Sequence, residues 1–358
     1  MVDLAALGRR ALASARNGID YARGADIDDL ASTPKDAVWS IDKVRLLRVR
    51  SERIVHRKPL LIVHSLISRP YIFDLLPGNS VVAWLRDRGH DVYLLDWGVP
   101  DHADVANTYV TYVDDYLRPA VGAVRESAGG GDVAMLGYCF GGILALLALG
   151  TDPALGVRDL ALVATPVDFE GIEPLQSATK HGRLQADDLI DQTGNIPPAI
   201  FRRTFRTLRP TNDVAAMATL LDRLSDREYV RNHHALNRWT DDQIPFPGAL
   251  AHESLQLARE NGLLAGTARV DGRRADFGDL DLRVLAFMAL RDHLVPHPSA
   301  TAIERLLPRA EVGRVEIDSG HVALLLGARA QRQTLPALHE WLVGERSSEE
   351  AARAATDT

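Results

Sequence analysis

The feature that most constrains this chain is the run Val133-Ala-Met-Leu-Gly137-Tyr-Cys139-Phe-Gly141-Gly142, followed by Ile143-Leu-Ala-Leu-Leu. An apolar strand ends in a Gly-x-Cys-x-Gly turn, and an apolar helix begins at once. So sharp a strand-to-helix turn dictates its own glycines. Side chains at 137 and 141 would collide with the neighbouring strand and helix, while Cys139 takes the strained apex. The first turn of the helix then directs unpaired N–H groups and the positive end of its dipole at the sulfur, which stabilises negative charge there. A lone cysteine is, in isolation, most often a buried core residue. With strand, both glycines and helix in the right order, Cys139 reads as a nucleophile.

A nucleophile on such an elbow needs an acid and then a histidine further along the chain. After the apolar run Val284 to Met288 comes Asp292, just beyond a strand end, and after Val315-Glu-Ile comes His321, on a loop before a helix. His321 is expected to take the proton of Cys139, with Asp292 orienting the imidazole. Singly, an acid among 48 and a histidine among 12 carry little weight, so the ordered trio is the signal. The oxyanion donors are expected to be the N–H of Phe140 and one from the loop His64-Ser-Leu-Ile-Ser-Arg-Pro70, with Leu66 or Ile67 as candidates. His293, beside the acid, either helps to position the site loops or is an ordinary surface histidine. The pair His233 and His234 has no acid or cysteine pattern beside it, and no metal site is read from the sequence.

Around this constellation short, continuous apolar runs alternate with helical patterns. The runs are Arg45 to Val49, Leu60 to Val63, Val92 to Leu95, Val133 to Leu136, Leu160 to Ala164 and Val284 to Met288. Continuous runs suit strands covered on both faces, so the fold class is α/β, with a mostly parallel central sheet flanked by helices. From about Phe169 the rhythm stops and the sequence becomes helical in tone, which marks an insertion. The expected domains are a helical leader over 1–40, a core over 41–170, a mainly helical cap over 171–272, the rest of the core over 273–345 and a frayed tail over 346–358.

The apolar fraction of 46% is ample for a core, and a net charge of −7 gives no nucleic-acid surface. A single cysteine excludes an internal disulfide and favours a reducing, cytoplasmic compartment. No export signal is legible at the N-terminus, and the most apolar stretch, Ile143 to Leu149, is far short of the roughly 20 residues that cross a bilayer.

Further stretches carry a resemblance. They are Thr-Pro-Lys-Asp-Ala-Val-Trp-Ser (33 to 40), Pro-Leu-Leu-Ile-Val (59 to 63), Ser-Arg-Pro-Tyr (68 to 71), Asp-Val-Tyr-Leu-Leu-Asp-Trp-Gly (91 to 98), Gly-Tyr-Cys-Phe-Gly-Gly (137 to 142), Thr-Pro-Val-Asp-Phe (165 to 169), Asp-His-Leu-Val-Pro (292 to 296) and Gly-His (320 to 321). Together they resemble the catalytic subunit of class III polyhydroxyalkanoate (poly-3-hydroxybutyrate) synthases, within the α/β-hydrolase superfamily, from about Thr33 to Leu342. The resemblance implies a Cys139, Asp292 and His321 triad that joins (R)-3-hydroxyacyl units, short-chain ones such as 3-hydroxybutyryl above all, from coenzyme A thioesters into polyester. It implies no cofactor beyond the thioester substrate, a second synthase subunit, a possible homodimer and a place on the surface of polyester granules. In the cap only Trp239, Asp242 and Gly248 match, which makes Trp239 and Asp242 candidates for support of the site. Ile143 stands where the family commonly has Thr. A depolymerase or thioesterase of the same fold, or a granule protein without catalysis, are the rival readings.

Overall fold

The computed structural model describes residues 4–24, 27–207 and 213–344. Its centre is an eight-stranded sheet. The strands are β1 (Lys35–Ile41), β2 (Val44–Val49), β3 (His56–Val63), β4 (His90–Asp96), β5 (Val133–Tyr138), β6 (Val157–Val163), β7 (Arg283–Ala289) and β8 (Glu311–Ile317). Their spatial order is β1-β2-β4-β3-β5-β6-β7-β8. The run from β4 to β8 is parallel throughout, while the β1–β2 hairpin joins β4 antiparallel at one edge.

The continuous apolar runs are buried on both faces, and the side-chain period of two sorts them. Leu61, Val63, Met135, Leu160, Leu162 and Val284 face one core, shared with α3 (Arg118–Ser127) and α4 (Phe140–Thr151). Leu60, Ile62, Leu136, Ala161, Val163 and Phe287 face the other, with α2 (Val81–Arg86) and the final helix, Leu335–Val343.

The leader expected over 1–40 is shorter than that. Helix α1 spans Leu4–Arg23, and β1 begins already at Lys35. This strand escapes a search for apolar runs because it is an edge strand paired on one side only, and most of its residues are exposed. The segment 171–272 is mainly helical, with α5 (Glu173–Lys180), α6 (Pro198–Thr207), α7 (Asp213–Asp222), α8 (Arg227–Asp241) and α9 (Gly248–Arg259). The tail expected over 346–358 lies outside the described residues. Among the described residues no helix is long and apolar enough to cross a membrane.

Parallel strands joined by right-handed crossovers bring the loops that follow them to one edge of the sheet. The elbow after β5, the acid loop after β7 and the histidine loop after β8 therefore meet there. This convergence depends on small residues. A Cβ at Gly141 would stand 2.2 Å from the Val63 carbonyl oxygen and 2.6 Å from that of His64. Gly141→Ala should therefore destabilise the protein by about 3 kcal/mol or more. Gly122→Ala, on the exposed face of helix α3 with nothing within 4 Å of the new methyl, should instead stabilise by about 0.5–1 kcal/mol. Urea unfolding of the two variants checks both signs.

Candidate active site

Cys139 sits between β5 and α4 with φ 52° and ψ −118°, a conformation costly for a residue with a Cβ. Three contacts hold it there. Its amide donates to the Val163 carbonyl at 2.9 Å, anchoring the turn to β6. A Cβ at Gly137 would lie 2.5 Å from the Gly142 Cα, and one at Gly142 would lie 2.0 Å from the Thr165 Oγ1. The strain is thus imposed by a backbone approach that larger residues would block.

His321 and Asp292 come together as the sequence order anticipates. The Asp292 Oδ2 accepts from the His321 Nδ1 at 2.7 Å, and both side chains are buried. The other carboxylate oxygen accepts from the amides of Leu294 at 2.8 Å and Val295 at 2.9 Å, which fixes its orientation. With Nδ1 engaged, Nε2 is left for Cys139, whose sulfur is also a hydrogen-bonding neighbour of the ring. Burial opposes the charged imidazole, but the Asp292 carboxylate and the charge on Cys139 outweigh it. Together they push His321 up from 6.5 to about 10. The geometry favours a proton held on the ring between Asp292 and Cys139.

Phe140 is the first residue of α4, so its N–H has no intrahelical acceptor. Across from it, the Ser68 amide donates to the Ser65 carbonyl at 3.4 Å and closes a turn with Leu66 and Ile67 at its tip. A four-residue turn of this kind leaves its two central amides outside its own hydrogen bond. The Gly141 contact with Val63 and His64 brings this loop against the start of α4. His64 itself is fully buried, and that burial pushes its imidazole down to about 4 against the pull of Asp96. It is a neutral packing group whose carbonyl accepts from the Trp97 Nε1 at 2.9 Å.

The cap residues matched by the resemblance act on that same loop. Trp239, 1% exposed, donates from Nε1 to the Arg69 carbonyl at 3.0 Å. Asp242 accepts from the Tyr71 hydroxyl at 3.2 Å and from the Arg69 Nε at 3.4 Å. Both thus bond to residues that follow the turn after β3. His293 is exposed, and its side chain faces solvent.

The sequence marks Phe201, Phe205, Trp239 and Phe246 as cap residues able to present an apolar inner face; that Phe201 and Phe246 join Phe140 and Tyr109 in one chain of rings comes from the structure. Phe140 stacks on Tyr109 at 6.2 Å and meets Phe246 edge-on at 5.4 Å, and Phe246 meets Phe201 at 6.0 Å. Tyr138 lies 5.2 Å from the His321 ring and closes the opposite side. The side chain of Phe205, a further aromatic of the cap sequence, lies outside the described residues.

The His321 shift fixes a pH dependence. Its folded value lies above its unfolded value, so its contribution to stability is complete below about 6.5 and is lost as pH rises through about 10. The stability advantage of wild type over His321→Gln, read from urea midpoints, should therefore shrink between pH 6.5 and 10. A gap that does not change across that window would contradict the proton-holding geometry.

Comparison with known proteins agrees with this architecture. The family model of the alpha/beta hydrolase fold matches residues 58–328, and that of the poly-beta-hydroxybutyrate polymerase (PhaC) N-terminus matches residues 19–85. The chain is 33% identical over 330 residues to the poly(3-hydroxyalkanoate) polymerase subunit PhaC of Allochromatium vinosum, covering 91% of this chain and 92% of that one. The polymerase subunit PhaC of Synechocystis sp. is 30% identical over 339 residues, with 91% and 89% covered. Among solved structures, Rv0554 from Mycobacterium tuberculosis superposes with a TM-score of 0.51 at 13% identity, over 87% of this chain and 99% of that one. Naproxen esterase from Bacillus subtilis gives 0.50 at 12% identity, over 91% and 98%. At such identities the structures speak for the fold alone. The polymerase relatives, alike over nearly their whole length, show that this chain belongs to the poly(3-hydroxyalkanoate) polymerase (PhaC) family of the α/β-hydrolase fold.

Proposed function

We propose that this chain polymerises (R)-3-hydroxyacyl units, 3-hydroxybutyryl foremost, from their coenzyme A thioesters through a covalent thioester on Cys139. The observation that carries the reading is a cysteine at the elbow apex, hydrogen-bonded to a histidine that is itself held by Asp292. A thiol exchanges acyl groups with a thioester at little free-energy cost, and the acyl enzyme stays activated for attack by a hydroxyl.

In the first half-reaction the Cys139 sulfur attacks the thioester carbonyl, and the thiol proton resides on His321. The amides of Phe140 and of the Leu66–Ile67 turn receive the oxyanion. The carbon–sulfur bond to coenzyme A breaks, and its thiol leaves with the proton from His321. In the second half-reaction a 3-hydroxyl gives its proton to His321 and its oxygen attacks the acyl carbon. The Cys139 thioester breaks, the sulfur recovers the proton, and one ester bond has formed for each coenzyme A released.

The charge balance suits both halves. A charged sulfur at Cys139 is one of the influences that hold the proton on His321, and acylation removes it. The ring then gives up its proton more easily, so it stands neutral and free to take the proton of the incoming hydroxyl. Asp292 stays in place to orient the ring throughout.

The segment 171–272 serves in this reading as a cover over the elbow. Phe201 and Phe246 place apolar rings against Phe140, where an acyl chain would run. A second subunit is the expected partner, since the Allochromatium and Synechocystis relatives are named subunits. The exposed Leu7, Leu12 and Ile19 of α1, with Met217 and Leu221 of α7, offer it an apolar face. The granule surface is the expected location, and a homodimer the other use of that face.

Mass spectrometry after incubation with 3-hydroxybutyryl-CoA separates the readings. Growing oligomers on Cys139 support the polymerase. Release of free hydroxy acid alone would mean a hydrolase, and a chain that is never acylated would mean a binding protein. Cys139→Ala should lower coenzyme A release by about 10⁴-fold or more in a folded protein. For the cover, a bulky maleimide should label Cys139 slowly in the wild type and faster in Phe201→Ala, with circular dichroism showing both folded. Equal, fast labelling would mean that nothing closes over the cysteine.

A further inference from the structure

At the edge of the sheet opposite Cys139, three histidines from distant parts of the chain meet. His56 opens β3, His90 opens the neighbouring β4, and His339 lies on the final helix, Leu335–Val343. The backbone pins the first pair. The Gly89 carbonyl accepts from the amides of both Val55, at 2.8 Å, and His56, at 3.0 Å. Gly89 has φ +83°, and a Cβ there would lie 2.6 Å from Val55, so this close approach requires glycine. The His56 and His90 rings then stand 4.6 Å apart, and His339 meets them edge-on at 5.7 and 5.1 Å.

Each ring offers one nitrogen, and these three atoms lie within 4.8 Å of one another. The His90 Nε2 and the His339 Nδ1 are already 2.9 Å apart. Two imidazole nitrogens on one tetrahedral zinc, each about 2.0 Å from it, stand about 3.3 Å apart. Small rotations of the half-buried His56 and His339 therefore bring all three into coordination range. The side chain of His90 is 2% exposed and gives the site a rigid floor. Trp84, edge-on to His339 at 6.0 Å and covered by the Arg88 guanidinium, forms a wall.

We propose that His56, His90 and His339 form a binding site for a divalent transition metal, zinc foremost, which ties the final helix to the first residues of β3 and β4. Imidazole ligands without thiolate or carboxylate select zinc, cobalt, nickel or copper over magnesium and calcium, with water in the open position. The site lies across the sheet from the Cys139 elbow, so its role is in stability and not in acyl transfer. The cluster joins elements far apart in sequence, where a metal link constrains the unfolded chain most.

The test uses tag-free full-length protein carrying Cys139→Ala, to remove the competing thiol, after dialysis against a chelator. Calorimetric titration with Zn²⁺ should show saturable binding at one equivalent, and Co²⁺ should give the visible absorption of a tetrahedral nitrogen site. Zn²⁺ should also raise the melting temperature. His339→Gln and His56→Gln should each weaken Zn²⁺ binding by at least about tenfold, while His233→Gln leaves it unchanged. His56 begins a strand and His339 lies on a helix, so at least one of the two variants tests the site if the other folds poorly. Absence of saturable binding, or binding that survives both substitutions, would overturn the proposal.

Discussion

The close approach of three backbones around Cys139 is the constraint on which the rest depends. Helix α4 starts against the carbonyls that end β3, the turn doubles back on Gly142, and Thr165 at the end of β6 seals the other side. None of these contacts has room for a Cβ. Because the space is filled to van der Waals distance, Cys139 is held at a positive φ that an isolated turn would not keep. The same contact that forces the strain brings the Leu66–Ile67 turn to the start of α4. Candidate nucleophile and candidate oxyanion donors are thus positioned by one packing event.

Electrostatics build on that geometry. His321 is buried between a carboxylate and a sulfur, and both neighbours favour its charged form against the cost of burial. Asp292 has its second oxygen satisfied by two backbone amides, so its hydrogen bond to His321 has a fixed direction. The surroundings are aromatic, with Tyr138 on one side and Phe140, Tyr109 and Phe246 on the other. Such walls keep the local dielectric low and make each charge interaction count for more.

The segment 171–272 is joined to the core through the same loop. Trp239 and Asp242 on and after α8 grip Arg69 and Tyr71, a few residues beyond the Leu66–Ile67 turn. A movement of α8 would therefore be felt by the turn as well as by the rings over Cys139.

The sequence by itself determined the elbow, the candidate trio Cys139, Asp292 and His321 in that order, and the parallel sheet. Each is written in local pattern: glycine spacing at 137 and 141, apolar runs that end at Asp292 or before His321, and a periodicity that changes between strand and helix. It did not reveal β1, whose edge position leaves its polar residues without a core to select apolar ones. Nor did it reveal the joining of the cap rings Phe201 and Phe246 to Phe140 and Tyr109, the grip of Trp239 on Arg69, or the meeting of His56, His90 and His339. These contacts join residues tens to hundreds of positions apart, and no spacing rule relates them. Only the tertiary structure decides them, because they follow from which strand ends and which helices the sheet order places side by side.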